Sequence, residues 1–245
     1  SDTTWALLFN AAEGSVFQNQ QLRQALAGIA RENADVPSSG LYAAAKGLVP
    51  EGLTVDGLDY RETAGNPLPT IPEPKALYLA ARQGMSTSDF SGVTLLLPKN
   101  AGLGELADQI NSAWQKECSL FFSVEEVEQD EFDARIAAGK YTIALAPIRA
   151  EGGSVYQMLQ QFTIEGGSLT GYADTVYADR LALSAQQTGK DRCALLAQCE
   201  RQLLESCTVV PLMAQQKRLL LANGVRDLVF DPFFPVLDLT WAKMS

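Results

Sequence analysis

Residues Gly92 to Ile148 read GVTLLLPKNAGLGELADQINSAWQKECSLFFSVEEVEQDEFDARIAAGKYTIALAPI, and the alternation within them decides the fold. Val93–Leu97 is a short apolar run closed by Pro and Lys, the pattern of a buried strand. Leu103, Leu106, Ala107, Ile110 and Trp114 then fall on one face at helical spacing, which predicts a helix over Leu103–Glu117. Leu120–Val124 reads as a second strand, Glu131–Ala138 as a second helix and Thr142–Ala146 as a third strand. Strand and helix alternating in this way signal βαβ units around a mainly parallel sheet, with the two helices as crossovers. The runs VTLLL and TIALA are apolar without alternation, as strands covered on both faces are. The expected class is therefore α/β, a mainly parallel sheet with flanking helices.

The flanks extend this pattern. Thr4–Asn10 (TWALLFN) is a further buried strand, followed from about Gln20 by a helix whose stripe is Leu22, Ala25, Leu26, Ile29 and Ala30. Asn19 is placed to cap that helix through its side-chain oxygen. GLVPEGLTVDGLDY and GNPLPTIPEP are loops, and the second feeds a helix that starts at Pro72 and Pro74 and stops at Gly84. Beyond Ile148 the pattern turns helical through SVYQMLQQF, YADTVYADRLALSAQQ and DRCALLAQCERQLLES, then gives two apolar runs, TVVPLMAQ and KRLLLAN. The last stretch, VRDLVFDPFFPVLDLTWAKMS, is rich in large apolar residues without periodicity, as a tail that packs on something would be. No internal repeat is present.

Composition excludes several functions. The chain has 245 residues, 47% apolar and 20% charged, enough for one large domain or two small ones. Its formal charge of −10, from 19 basic against 29 acidic residues, repels phosphate backbones and argues against nucleic acid as a partner. No apolar run approaches the roughly 20 residues needed to span a bilayer. The sequence opens at SDTTWALLFN without an initiating Met, which reads as a processed or trimmed product. It contains no histidine, so the commonest general base and the commonest zinc ligand are both missing. Cys193, Cys199 and Cys207 are placed on one helix, where their spacings correspond to about 9 and 12 Å, too far for a disulfide. With Cys118 they read as reduced, buried thiols, and no CxxC points to a metal. The acidic run Glu125–Asp133 reads as a solvated helix start and GLGEL as a helix entry, not a phosphate loop. Trp114, on a stripe, is core.

Several short motifs occur here in a fixed order: LLFN followed by LRQALAGIARE, then GLVPEG, PEPKALYLAARQG, LTGYADTVYADRLALSA, ALLAQCERQLLESCTVVPLM and VRDLVFDPFFPVLDL. In this order the chain resembles the C-terminal half of the extracellular solute-binding proteins of peptide and nickel ABC transporters (family 5). The resemblance implies a periplasmic-binding-protein-like second lobe over residues 1–225 and a segment, 226–245, that runs back toward an absent first lobe. It implies a receptor that clamps a small peptide-like solute, an oligopeptide, between two lobes and delivers it to a membrane permease. It also implies export to the extracellular face or periplasm, lipid anchoring of the whole receptor, and no cofactor or metal. Several of Phe233, Phe234, Leu237 and Trp241 would then be exposed where the first lobe is missing. Arg23, of the LRQAL motif, would be a framework residue tied to neighbouring carbonyls or carboxylates.

The resemblance places ligand contacts at Asn10, Pro147, Ile148, Arg149 and Glu151. In the family a Trp-x-x-Asp-Tyr-x-x-Pro run follows the strand matched by YTIALAPI, and its Asp pairs with the ligand ammonium. Here the run is LAPIRAEGGSVYQML, with neither that Trp nor that Asp. Glu151 is the nearest carboxylate, while Arg149 would favour an anionic group, and two solvated loop charges are the plain alternative. Two other functions stay open. One is an interaction lobe with no ligand of its own, the other a carboxylate-dependent hydrolase, for which no pair of acids is marked as convergent.

Overall fold

The computed structural model describes residues 2–37 and 40–216, together with the backbone of short strand segments beyond them. In chain order the elements begin with β1 (Thr3–Phe9), α1 (Gln20–Asn33), β2 (Tyr42–Ala44), β3 (Thr54–Val55), β4 (Leu58–Asp59), α2 (Tyr60–Ala64) and α3 (Pro74–Ala81). The central block is β5 (Thr94–Pro98), α4 (Gly104–Cys118), β6 (Ser123–Val127), α5 (Gln129–Ala137) and β7 (Ile143–Arg149). Then come α6 (Val155–Gln160), α7 (Thr175–Ser184), α8 (Gly189–Glu205) and β8 (Val209–Gln215). In the tail, β9 (Val225–Arg226) pairs with β12 (Lys243–Met244), and β10 (Val229–Phe230) with β11 (Leu237–Asp238). Phe233, Phe234, Trp241, the side chain of Leu237 and the run 217–223 lie outside the described residues.

Six strands form one sheet in the order β2-β8-β1-β7-β5-β6. The expected βαβαβ block is present: β5 is parallel to both β6 and β7, and α4 and α5 are the crossovers. The class is α/β with helices on both faces, but the sheet as a whole is mixed. β1 runs antiparallel to β7 and to β8, and β2 antiparallel to β8, so the parallel part is confined to the block. β6 also lies three residues later than the apolar run Leu120–Val124 suggests. Leu120 and Phe122 belong to the core before the strand begins, and Asn111 of α4 holds that approach. Its amide donates to Phe122 O at 2.6 Å and accepts from Phe122 N at 3.0 Å. The strand itself, SVEEV, is a charged edge, which discourages further strand pairing.

Strand order dictates where the helices lie. Passing from β5 to β6 and then from β6 back to β7 reverses direction across the sheet, so two right-handed crossovers must occupy opposite faces. Accordingly α4 packs with α1 and α3 in one core (Leu7, Phe9, Leu26, Leu97, Ile110, Trp114). Phe132 of α5 joins α6, α7 and α8 in the other (Leu8, Leu96, Ile148, Met158, Tyr177, Leu203). Trp114 Nε1 donates to Leu26 O at 2.9 Å and so joins α4 to α1. Pro211 in β8 lacks an amide hydrogen, and the ladder accommodates it with a register shift opposite Trp5 and Ala6.

Arg23 is buried and has no carboxylate partner among the described residues; its guanidinium donates to the carbonyls of Ser206 (2.9 Å), Phe17 and Gln18. Burial lowers its pKa, and the nearby Cys207 and Tyr172 oppose that shift. Asn19 caps α1 by accepting from Leu22 N at 3.1 Å. All four cysteines are free and buried, and Cys207 sits just past α8 in left-handed backbone (φ 52°) instead of on the helix. Burial pushes the thiols of Cys118 and Cys199 up to about 12 and that of Cys207 to about 11.

Candidate functional site

Adjacent parallel strands whose following segments leave on opposite faces open a crevice outside their carboxyl ends, and ligands of open α/β sheets collect there. β5 and β7 are such a pair. The loop after Pro98 leads to α4 on one face, while the turn after Arg149 leads to α6 on the other. The crevice is therefore framed by Lys99–Leu103 and by Arg149–Ser154.

Arg149 ends β7 opposite Thr3, on the same face as Pro147 and Trp5. Its carbonyl accepts from Gln161 Nε2 at 2.9 Å, and Ala150 N donates to Asp2 O at 2.8 Å, which fixes the backbone of the turn. Glu151 opens a single 3-10 turn that passes through Gly152 (φ 57°) and Gly153 (φ 75°) to Ser154, the N-cap of α6. Both charged side chains are exposed, and neither forms an ion pair among the described residues. Ile148 is buried in the core and offers this edge only its backbone, whereas Pro147 is half-buried. Across the crevice the exposed Lys99, absent from the sequence expectations, pairs with Glu128 at 2.9 Å. That bond raises the ammonium above its ordinary value.

Asn10 does not join this group. Because β1 is antiparallel to β7, its carboxyl end meets the start of β7, where Phe9 is opposite Ile143. Six further residues of strand, roughly 20 Å, separate it from Arg149. Its side chain donates to Gly139 O and Tyr141 O at 2.9 Å each and accepts from Ala12 N at 3.0 Å. It is a clip on the opposite edge of the sheet.

The Arg149 edge also holds two further strand ends. β1 starts there at Thr3, and β8 ends there, with Thr4 opposite Ala214 and Tyr42 opposite Gln215. The half-exposed Leu41 lies beside the end of β8, its carbonyl accepting from Gln216 N at 2.7 Å. A cavity of about 100 Å³ there is lined by Ala43, Lys46, Pro50 and Gln215. That is well below the roughly 300–1,000 Å³ of a ligand pocket, so the described residues at this edge enclose no ligand-sized cavity.

A buried ionic cluster that sequence reasoning missed braces the loop beside this edge. Glu200 of α8 is fully buried and accepts from Arg61 at 3.0 and 3.2 Å, from Tyr60 Oη at 2.9 Å and from Val49 N at 2.9 Å. Arg61 also donates to Val49 O and to Gly65 O. Burial, with Glu200 adding to it, holds the Tyr60 phenol well above its ordinary pKa. Among the described residues, no cluster of three or more His, Cys, Asp or Glu could hold a metal, and no helix is long and apolar enough to cross a membrane.

No protein-family model matches the chain, and no curated protein matches it by sequence. Solved structures do. Listeria monocytogenes OppA bound to peptide is matched over 100% of this chain and 49% of that one, at 18% identity and TM-score 0.75. The substrate-binding domain of an oligopeptide ABC transporter from Bacillus anthracis str. Ames is matched over 100% and 50%, at 17% identity and TM-score 0.76. For the pheromone receptor PrgZ, whose structure describes peptide binding, the figures are 100%, 49%, 17% and 0.78. The chain thus spans about half the length of these binding proteins and shares the fold of that half; at such identity the likeness carries the fold alone.

Proposed function

We propose that this chain is the second lobe of a two-lobed solute-binding protein that serves an ABC importer, and that its solute is peptide-like. The observation that carries this reading is a coincidence of edges: β1 starts and β8 ends where the β5 and β7 carboxyl ends open their crevice. A first lobe joined there would face the crevice and supply its second wall. The full-length match to half of several peptide-binding proteins supports it. In this reading residues 1–225 are the lobe, 226–245 return toward the first lobe, and Arg149 and Glu151 meet the charged groups of the solute. A permease is the downstream partner, and the whole protein is exported and held at the outer face by a lipid anchor. The function is binding, not catalysis: the chain has no histidine, and its thiols are buried with raised pKa values.

One lobe covers one side of a ligand that a cleft normally buries over about 70–90% of its surface. The test is calorimetry of a mixed-peptide library against this chain and against the two-lobed protein. Weak binding by the chain and micromolar binding by the two-lobed protein, reduced by Arg149→Gln or Glu151→Gln, is the expected result. Micromolar binding by this chain alone, unchanged by both substitutions, would place the site elsewhere and defeat the two-lobe mechanism.

A further inference from the structure

The molecule has a second concave surface, on the outer helical layer. Between α6, the loop after it and α7 lies a groove of about 330 Å³. Tyr156, Ile164, Ala178 and Ala182 give it an apolar lining, and Glu165 and Asp179 stand on it as carboxylates. No Lys or Arg lines it. Asp174, also in its wall, is already engaged by Tyr177 N, Tyr172 Oη and Gln202 Nε2 at 2.9 Å each. Glu165 and Asp179 are exposed and have no ion-pair partner among the described residues.

The apolar surface runs past the groove. Ile164 is 69% exposed, Val176 56% and Leu183 45%, three of the six large apolar side chains exposed among the described residues. Val176 and Leu183 are seven residues apart on α7, hence on one side of it, adjoining Asp179 and Ala182 at 100° per residue. The Ile164 loop leads to Thr170, whose carbonyl accepts from Ala11 N at 2.8 Å. At its other end α6 follows the Arg149–Ser154 turn, and Gln161 Nε2 donates to Arg149 O at 2.9 Å, so the groove runs from beside that turn toward Asn10.

We infer that the α6–α7 groove docks a segment of a partner protein that presents a basic side chain flanked by aliphatic ones. Charge complementarity selects this occupant. The cation would sit between Glu165 and Asp179, its methylene stem against Tyr156 and Ala182, and the flanking aliphatic groups against Ile164, Val176 and Leu183. A second copy of this chain would bring the same acidic groove, like against like, on a chain of net charge −10. The inference rests on the lining of this groove and does not require the peptide-solute reading.

The experiment titrates the isotopically labelled 245-residue chain with two blocked probes, Ac-Leu-Arg-Leu-NH2 and Ac-Leu-Glu-Leu-NH2, and follows amide NMR shifts. Blocking both ends removes the terminal charges that the Arg149 edge would read. The Arg probe is expected to move Ile164, Ala178 and Ala182 and the Glu probe to leave them. Glu165→Gln and Asp179→Asn, both exposed, should each weaken the Arg probe about 2- to 5-fold, the range of an exposed ion pair. Ala182→Trp, filling the groove, should abolish its effect with the spectrum otherwise intact. Equal response to both probes, shifts centred on Arg149–Ser154, or indifference to all three variants would overturn the proposal. Self-association that protects these same amides as concentration rises would overturn it too, in favour of a second copy.

Discussion

Arg61→Ala tests whether the buried Glu200 cluster holds the lobe together. Arg61 gives Glu200 two charge-assisted hydrogen bonds, and its side chain is 10% exposed against 0% for Glu200, so little solvent screens the pair. Removing the guanidinium leaves an ionised carboxylate in the core with only Tyr60 Oη and Val49 N, and frees the carbonyls of Val49 and Gly65. Breaking a buried pair from one side costs about 3–5 kcal/mol, more than the pair contributes, because an uncompensated charge remains. At a urea m-value of about 3 kcal/mol/M, a loss of about 4 kcal/mol lowers the midpoint by roughly 1.3 M. Circular dichroism in urea reads this directly. The triple variant Tyr60→Phe, Arg61→Met, Glu200→Leu removes the carboxylate, the guanidinium and the phenol hydroxyl, and is expected to recover most of the loss. A midpoint shift under about 0.3 M for Arg61→Ala would refute the reasoning. So would a triple variant as unstable as the sum of its parts.

Gly47→Ala should destabilise by about 1–3 kcal/mol, since its Cβ would stand 2.6 Å from Glu200 Oε1 and 2.8 Å from both Arg61 terminal nitrogens; an unchanged thermal midpoint would contradict this. Asn111→Ala removes both bonds to Phe122 and should cost about 1–3 kcal/mol, with amide exchange rising first at the start of β6. Tyr60, Tyr141, Tyr172 and Tyr177 all have pKa values raised chiefly by burial. Their neutral forms favour the folded state, so that stability is complete below the unfolded phenol pKa of about 10 and falls as pH rises through the folded values. Phenolate absorbance should show these four of the seven tyrosines ionising only as the fold is lost, and ionisation of all seven with circular dichroism unchanged would oppose it.

The βαβαβ block was legible because the stripes of α4 and the unbroken runs of β5 and β7 are local signals. The β6 boundary was not, since Leu120 and Phe122 are apolar for the sake of the core while the strand carries Glu125 and Glu126. Strand direction was not legible either. TVVPLMAQ shows an apolar run, yet nothing in it says that β8 lies beside β1 and antiparallel to it. The same gap hides how far apart Asn10 and Arg149 lie: both end strands, and the antiparallel β1–β7 pairing sends them to opposite ends of the sheet. Glu200 was hidden for a different reason. A Glu on an amphipathic helix reads as solvated, and its partners Arg61, Tyr60 and Val49 N, all distant in sequence, make its burial possible.

The coincidence of edges also bears on how a charge in the open becomes a binding contact. Arg149 and Glu151 stand in solvent in this lobe, where an ion pair at 4 Å is worth about 1 kcal/mol. Micromolar affinity needs about 8 kcal/mol, so such a contact cannot hold a solute alone. In the proposed two-lobed protein, closure about the crossings at Thr3 and Gln215 would bring a second wall over the same side chains. Solvent would then leave, and at an effective dielectric near 20 the same contact is worth about 4 kcal/mol. The solute would thus stabilise the closed arrangement by as much as closure strengthens its contacts, which is how a ligand biases two states. Were two lobes to hinge at this edge, its unpaired charges would be placed for that exchange, whereas a completed ion pair such as Glu200 with Arg61 would gain nothing from closure.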